Sequence, residues 1–238
     1  MGKRTGQHPP RPLPRADCIT VWRVALEVEP ELLSQYKTVL SEDERRRSAQ
    51  YRFPRDRRRF IACHAALREI LSAYLGLPAD QIRFIAGPYG KPALENAAPA
   101  LHFNLSHAHE LALIAVAGRE VGVDVEYLAA AVALDDIARS CCTPRELQAA
   151  VGLPAGALAY WTCKEAYLKG IGTGLSVSPT EIELHPPPTG TTRTGIAGDS
   201  AWSIYPFTPA LDYYAAVAAC GDDWQMECCD WSVMSHPD

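Results

Sequence analysis

The sequence predicts an α+β fold, with helices and antiparallel strands segregated inside two successive halves that meet near residues 118–120. Two observations carry this. Over residues 56–75, Phe60, His64, Leu67, Leu71 and Tyr74 recur at spacings of three and four, the period of a helix with one buried stripe. Over residues 101–127, Leu101, Phe103 and Leu105 alternate with His102, Asn104 and Ser106, and two further apolar stretches follow across a short turn, as in a strand meander.

The elements follow in order. Residues 1–16 are rich in proline and basic side chains and lack periodicity, so a disordered tail is expected. A strand over 19–28 leads to a helix over about 30–40, and Ser41 with Glu44 three residues on forms a capping box that starts a helix across 43–51. The helix over 56–75 stops at Gly76 and Pro78. A strand over 82–86 enters the turn-rich loop Gly87-Pro88-Tyr89-Gly90-Lys91-Pro92. After the meander, residues 129–150 and 155–171 read as helices. Strands are expected near 182–184, 201–205 and 213–219, and residues 221–238 read as a tail.

Bulk properties narrow the function. The 238 residues suffice for one large or two modest domains. No apolar run reaches the roughly 18 residues of a membrane span, and the basic N-terminus has no apolar segment behind it, so a cytoplasmic protein is expected. A net charge of −5 argues against a general nucleic-acid binder. None of the eight cysteines has the two-residue gap of a zinc pair, and reduced, packed thiols are expected. Charge is unevenly spread: residues 45–59 hold eight arginines against Asp56 alone, either a solvated face or the seat of an anionic partner.

Several residues have the chemistry of a site. In Val121-Gly122-Val123-Asp124-Val125-Glu126, strand alternation sends the valines one way and Asp124 with Glu126 the other. Two carboxylates so close repel unless water or a cation intervenes, and rigid oxygen ligands suit Mg²⁺. Taken singly, the pattern also fits an ordinary exposed strand face. Glu165 and Lys169 lie four apart on one helical face, which alone is a common surface ion pair. The glycines Gly170, Gly172 and Gly174 close that helix rather than open one, so they are no dinucleotide fingerprint. Ser106-His107 is no catalytic triad, but His107 can donate to a phosphate. Lys91 is a point charge on a stiffened turn.

The order of these blocks is more telling than any one of them. Gly90-Lys91-Pro92, Phe103-Asn104-Leu105-Ser106-His107, Gly122-Val123-Asp124-Val125-Glu126 and Trp161-Thr162-Cys163-Lys164-Glu165-Ala166-Tyr167-Leu168-Lys169 with Gly172-Thr173-Gly174-Leu175 resemble the Sfp-type 4′-phosphopantetheinyl transferase superfamily. The resemblance implies two pseudo-symmetric α/β halves in one chain, each a small, mostly antiparallel sheet packed with helices, with the active site in the cleft between them. Residues 17–119 would supply coenzyme A nucleotide contacts and residues 120–220 the metal and catalytic residues. Carried over by position, Asp124, Glu126 and Glu165 would hold Mg²⁺, Lys169 would contact the phosphate beside the transferred arm, and His107 the pyrophosphate. Ser106, Lys91 and Pro92 would line the nucleotide site, and Arg47 would reach the 3′-phosphate. The implied reaction moves phosphopantetheine from coenzyme A to a serine of an acyl or peptidyl carrier protein, with Glu165, Lys169 and His107 as catalytic groups. Both halves lie in one chain, so a monomer is expected, with no nucleic-acid or membrane partner. The sequence departs from many relatives at His64, where they carry arginine. Two other readings stay open on the residues alone: a different Mg²⁺ enzyme acting on phosphates, and a non-catalytic module that binds carriers or nucleic acid through the arginines.

Overall fold

A computed structural model describes residues 11–95, 101–128, 134–151, 156–188 and 192–232. The chain opens with strand β1 (Cys18–Ala25), then helices α1 (Pro30–Val39), α2 (Glu42–Gln50) and α3 (Pro54–Leu75). A short hairpin, β2 (Phe84–Ala86) and β3 (Pro92–Leu94), precedes the meander β4 (His102–Ala108), β5 (Leu111–Ala117) and β6 (Val121–Tyr127). Helices α4 (Leu134–Cys141), α5 (Pro144–Ala150) and α6 (Ala157–Ile171) follow. The strands β7 (Leu184–His185), β8 (Thr194–Ile196), β9 (Asp199–Phe207), β10 (Tyr213–Cys220) and β11 (Gln225–Trp231) complete the described chain.

The two halves repeat one topology. In the first sheet the order is β11-β1-β5-β4, in the second β6-β10-β9-β8-β7. Each half therefore begins with a strand, passes through helices, and returns as an antiparallel hairpin whose second strand pairs with the first. Sequence patterning decides which face each sheet buries. On β1, Trp22 and Val24 face α1 and α3, together with Ile61, Leu67 and Leu71 of the long helix. Ile19 and Val21 face the other way and meet Val121, Val123 and Val125 of β6 and Val217 of β10. The two sheets thus pack on each other, and a third cluster seals the second sheet beneath α4, α5 and α6. Strand β5 is buried along its whole length, which is why it reads as a continuous apolar run rather than an alternation.

Four expectations need correction. The expected tail beyond residue 220 contains β11, which pairs parallel with β1 in register from Cys18↔Gln225 to Val24↔Trp231 and places Trp231 in the first core. Its polar sequence suits an edge strand: Met226 packs on one core and Cys229 with Trp231 on the other, while Gln225, Glu227, Cys228 and Asp230 stay exposed. The expected N-terminal tail is also partly docked: Arg11 donates its backbone N–H to the Ala73 carbonyl at 2.8 Å, and its guanidinium lies 4.3 Å from the Trp22 ring centre. Residues 1–10 and 233–238 lie outside the described residues. Of the helix expected over 129–150, residues 129–133 lie outside the described residues and 134–150 hold two helices, because Thr143 and Glu146 form a capping box with Pro144 at the first helical position, a start signal in mid-stretch. Near 182–184, a 3-10 turn over Pro179–Glu181 comes first and the strand begins at Leu184.

Candidate functional site

The site is built where the two sheets end against each other. Strands β4 and β6 are edge strands of different sheets and share no ladder. They are joined instead by a side chain: Asn104 Oδ1 accepts a hydrogen bond from the Val123 backbone N–H at 2.9 Å. Two residues along the same face of β4, the Ser106 hydroxyl donates to Asp124 Oδ1 at 2.8 Å.

Helix α6 closes the site from the side of the second half. Gly122 allows its approach: a Cβ there would lie 2.0 Å from the Ala166 carbonyl oxygen and 2.3 Å from the Gly170 nitrogen. Since Gly122, Asp124 and Glu126 share one strand face, both carboxylates are pressed toward the helix. From it Trp161, Glu165 and Lys169, spaced by four, project from one face. Lys169 Nζ donates to Asp124 Oδ1 at 2.6 Å and to Ser106 Oγ at 3.0 Å. Trp161 Nε1 donates to Glu126 Oε1 at 2.9 Å.

The electrostatics are unbalanced toward negative charge. Burial and the charge of Asp124 raise the pKa of Glu126, against the opposing effects of Trp161 and Lys169. Burial, then Asp124, raises Glu165 in the same way, with Glu126 adding to it and Lys169 opposing. Three carboxylates therefore feel one another. Asp124 Oδ2 and Glu165 Oε1 are buried with no hydrogen-bond partner among the described residues, an expensive state for carboxylate oxygens. Among the described residues, no three His, Cys, Asp or Glu side chains already enclose a single point, since Asp124 is turned to Lys169 and Glu126 to Trp161. The donor set nevertheless fits a hard divalent cation: all oxygen, on a strand and a helix, with two oxygens lacking any other partner.

On the opposite wall, a column of side chains runs from α2 to the site. Arg47 Cζ lies 5.5 Å from the Phe60 ring centre, Phe60 stacks on His64 at 4.0 Å, and His64 Nδ1 is 3.2 Å from Glu44 Oε1. Crowding by the protein lowers the His107 pKa, and the positive charges of His64, Lys169 and Arg59 push it further toward the neutral form, although the residue is exposed.

Lys91 and Pro92 line a separate cleft of about 370 Å³ with Tyr89, His102, Glu120 and Gly172. The Lys91 ammonium donates to the Val121 carbonyl at 3.0 Å and the Gly170 carbonyl at 2.6 Å, tying the β2–β3 hairpin to the second half. Burial lowers its pKa. Of the residues singled out in the sequence, Ser106, Asp124, Glu126, Glu165 and Lys169 are gathered at one place. Arg47 and His107 stand on the facing wall, and Lys91 with Pro92 lies below. Sequence reasoning passed over Trp161 and Asn104, although both were in view: Trp161 is four residues before Glu165, and Asn104 shares a face with Ser106.

Comparison with known proteins places the chain in a family. Residues 120–229 match the 4′-phosphopantetheinyl transferase superfamily, and residues 27–119 match the N-terminal 4′-phosphopantetheinyl transferase family. The chain is 38% identical over 225 residues, 91% of its own length and 94% of the relative's, to the 4′-phosphopantetheinyl transferase HetI of Nostoc sp.. It belongs to the 4′-phosphopantetheinyl transferase superfamily. Two more distant relatives of this superfamily are the 4′-phosphopantetheinyl transferase psf-1 of Bacillus pumilus, 33% identical over 60% of this chain and 63% of the relative, and Sfp of Bacillus subtilis, 24% identical over 63% of this chain and 69% of the relative. In this phosphopantetheinyl transferase, the two family matches meet between Arg119 and Glu120, at the turn between β5 and β6.

Proposed function

We propose that this enzyme transfers the 4′-phosphopantetheine of coenzyme A to a serine hydroxyl of an acyl or peptidyl carrier protein, releasing adenosine 3′,5′-bisphosphate, and that Asp124, Glu126 and Glu165 hold a Mg²⁺ ion for it. The observation that carries the metal assignment is the pair of buried, unpartnered oxygens on Asp124 and Glu165, two residues from different elements that share one charge environment. When bound, the cation would draw charge from the pyrophosphate and orient it.

The protein's own groups supply the rest. Lys169, at the wall between Asp124 and Ser106, places an ammonium where charge builds on the phosphate. His107, kept toward its neutral form, still donates one N–H from the facing wall. Glu165 takes the serine proton: it projects from the same face of α6 as Lys169, beside Asp124. Ser106, Lys91 and Pro92 line the nucleotide side and Arg47 takes the 3′-phosphate. The cytoplasm suits an enzyme whose eight cysteines are all free, and no helix among the described residues is long and apolar enough to cross a membrane. With both halves in one chain, the working unit is a monomer.

The test is incubation with coenzyme A, Mg²⁺ and a panel of apo-carrier proteins, read by intact mass. Addition of one phosphopantetheine arm to at least one carrier is expected, with Asp124→Ala abolishing it and Glu165→Gln slowing it severely. Undiminished transfer by Asp124→Ala across a Mg²⁺ titration would remove the metal assignment. Near-normal turnover by Glu165→Gln would remove the base.

A further inference from the structure

The arginines of residues 45–59 are not equivalent once folded. This segment carries eight arginines and one aspartate inside a chain of net charge −5, so it opposes the rest of the surface. Arg45 donates to the carbonyl of Leu40, Arg46 pairs with Asp43, and Arg59 pairs with Glu27 and Glu110. Arg55 reaches Asp56 at 3.4 Å. Arg57 and Arg58 make no ion pair among the described residues, and Arg52 only lies over Phe53, with 5.4 Å from Cζ to the ring centre.

The corner between α2 and α3 is also the place where aromatics are left out of the core. Tyr51 is 40% and Phe53 56% exposed, and of residues 51–58 only Asp56 is partly covered. Helical spacing gives this corner a direction. Phe53, Arg57, Phe60 and His64 stand at i, i+4, i+7 and i+11 and form one stripe, which passes from open solvent to the buried Phe60 and ends at His64 beside His107. Arg58, one residue on from Arg57, lies well outside this stripe.

We propose that Phe53 and Arg57, with Arg52, are the docking face on which an acidic, partly apolar surface of the carrier protein lands, bringing its serine to the adjoining site. This rests on the transferase reading above and names the surface through which that reaction selects its protein substrate. An exposed aromatic flanked by unpaired guanidinium groups is the composition of an interface anchor, where phenylalanine supplies buried area and arginine supplies both charge and stacking. The surrounding positive field steers an acidic partner, which the enzyme's own acidic remainder repels, so encounter is directed to this corner and weakens with salt.

The experiment uses the full chain and whichever apo-carrier in the panel is modified fastest. Carrier kcat/KM and coenzyme A affinity are measured at low and physiological salt for wild type, Phe53→Ser, Arg57→Ala and Arg58→Ala. Phe53→Ser and Arg57→Ala are expected to lower carrier kcat/KM roughly tenfold through KM, with coenzyme A affinity unchanged, while Arg58→Ala stays within about twofold. Equal losses in Arg57→Ala and Arg58→Ala would reduce the effect to bulk charge and overturn the docking face. Weakened coenzyme A binding in Arg57→Ala would assign that guanidinium to the nucleotide, and duplex DNA retained by wild type but not Arg57→Ala would assign it to nucleic acid; either overturns the proposal. Modification of no carrier at all removes the transferase reading itself, an outcome distinct from normal modification by every variant, which removes only the docking face.

Discussion

Glu44 and Glu146 occupy the same place in the two halves of the molecule. Each is the third residue of its helix in a capping box, paired with Ser41 and Thr143 respectively, and each is buried. Each meets a cation on the long helix of its half: Arg68 Nε lies 2.7 Å from Glu44, and Lys164 Nζ 2.5 Å from Glu146. Each cation also donates to carbonyls in the segment after its helix, Arg68 to Ala79 and Ile82, Lys164 to Pro179. The same device appears twice in a topology that appears twice. It fixes the rotation of α3 and α6, and so which residues those helices turn toward the cleft. Lys164 immediately precedes Glu165, so anchoring one inward leaves the other to face β6.

Removing one partner of the second pair should be costly. Glu146→Ala leaves the ammonium of Lys164, a fully buried residue, without its counter-charge. A loss of about 3–5 kcal/mol is expected in urea denaturation. The double variant Glu146→Leu with Lys164→Met should recover much of it, because no uncompensated charge then remains buried.

The first pair predicts a limb of acid sensitivity. Burial alone would raise the Glu44 pKa, but hydrogen bonds from His64, Arg68 and the Ser41 backbone outweigh it and hold the carboxyl at about 2, against an ordinary 4.5. The folded-state pKa is depressed, so the unfolded chain binds more protons between these values. The stabilisation is complete above about pH 4.5 and disappears as pH falls toward 2, amounting to at most about 3 kcal/mol before solvent screening reduces it. Stability measured from pH 6 to 2 should fall less steeply in Glu44→Gln than in wild type.

Lys169 already neutralises Asp124 from 2.6 Å, and a metal ion must compete with it for the same oxygen. Lys169→Met should therefore bind Mn²⁺ several-fold more tightly in the absence of coenzyme A, as followed by electron paramagnetic resonance, while losing transfer activity. Unchanged Mn²⁺ affinity would mean that the ammonium and the metal do not contend for Asp124.

Gly122→Ala should separate α6 from β6. A methyl group 2.0 Å from the Ala166 carbonyl oxygen cannot be accommodated by a side-chain movement, because the atoms it would meet are all backbone. A destabilisation of about 1–3 kcal/mol is expected by thermal unfolding, with a fall in turnover as Glu165 and Lys169 move away from Asp124.

The parts of this molecule that were legible in the sequence were those set by local period. The stripe on α3, the Ser41 capping box, the alternation that puts Asp124 and Glu126 on one face, and the four-residue step from Glu165 to Lys169 all depend on residues a few places apart. What escaped was set by distant partners. Strand β11 is polar because it is an edge, and only its pairing with β1, some two hundred residues earlier, makes it a strand. The arginines of residues 45–59 look alike in sequence, and only folding shows which are spent on Leu40, Asp43, Glu27 and Glu110. Lys164 reads as one more polar residue on α6, although its position is wholly buried. The capping box at Thr143 was local and could have been read; the surrounding alanines concealed it.

The parallel pairing of β11 with β1 bears on how the molecule is made. The strand that completes the first sheet leaves the ribosome some two hundred residues after β1, so the first half must wait, with one flank of β1 bare and the seat of Trp231 unfilled, until β11 has emerged. Neither half can be cut away as a self-sufficient piece at residue 119, and a fusion or truncation that displaces residues 225–231 would expose an adhesive edge on the opposite half of the enzyme.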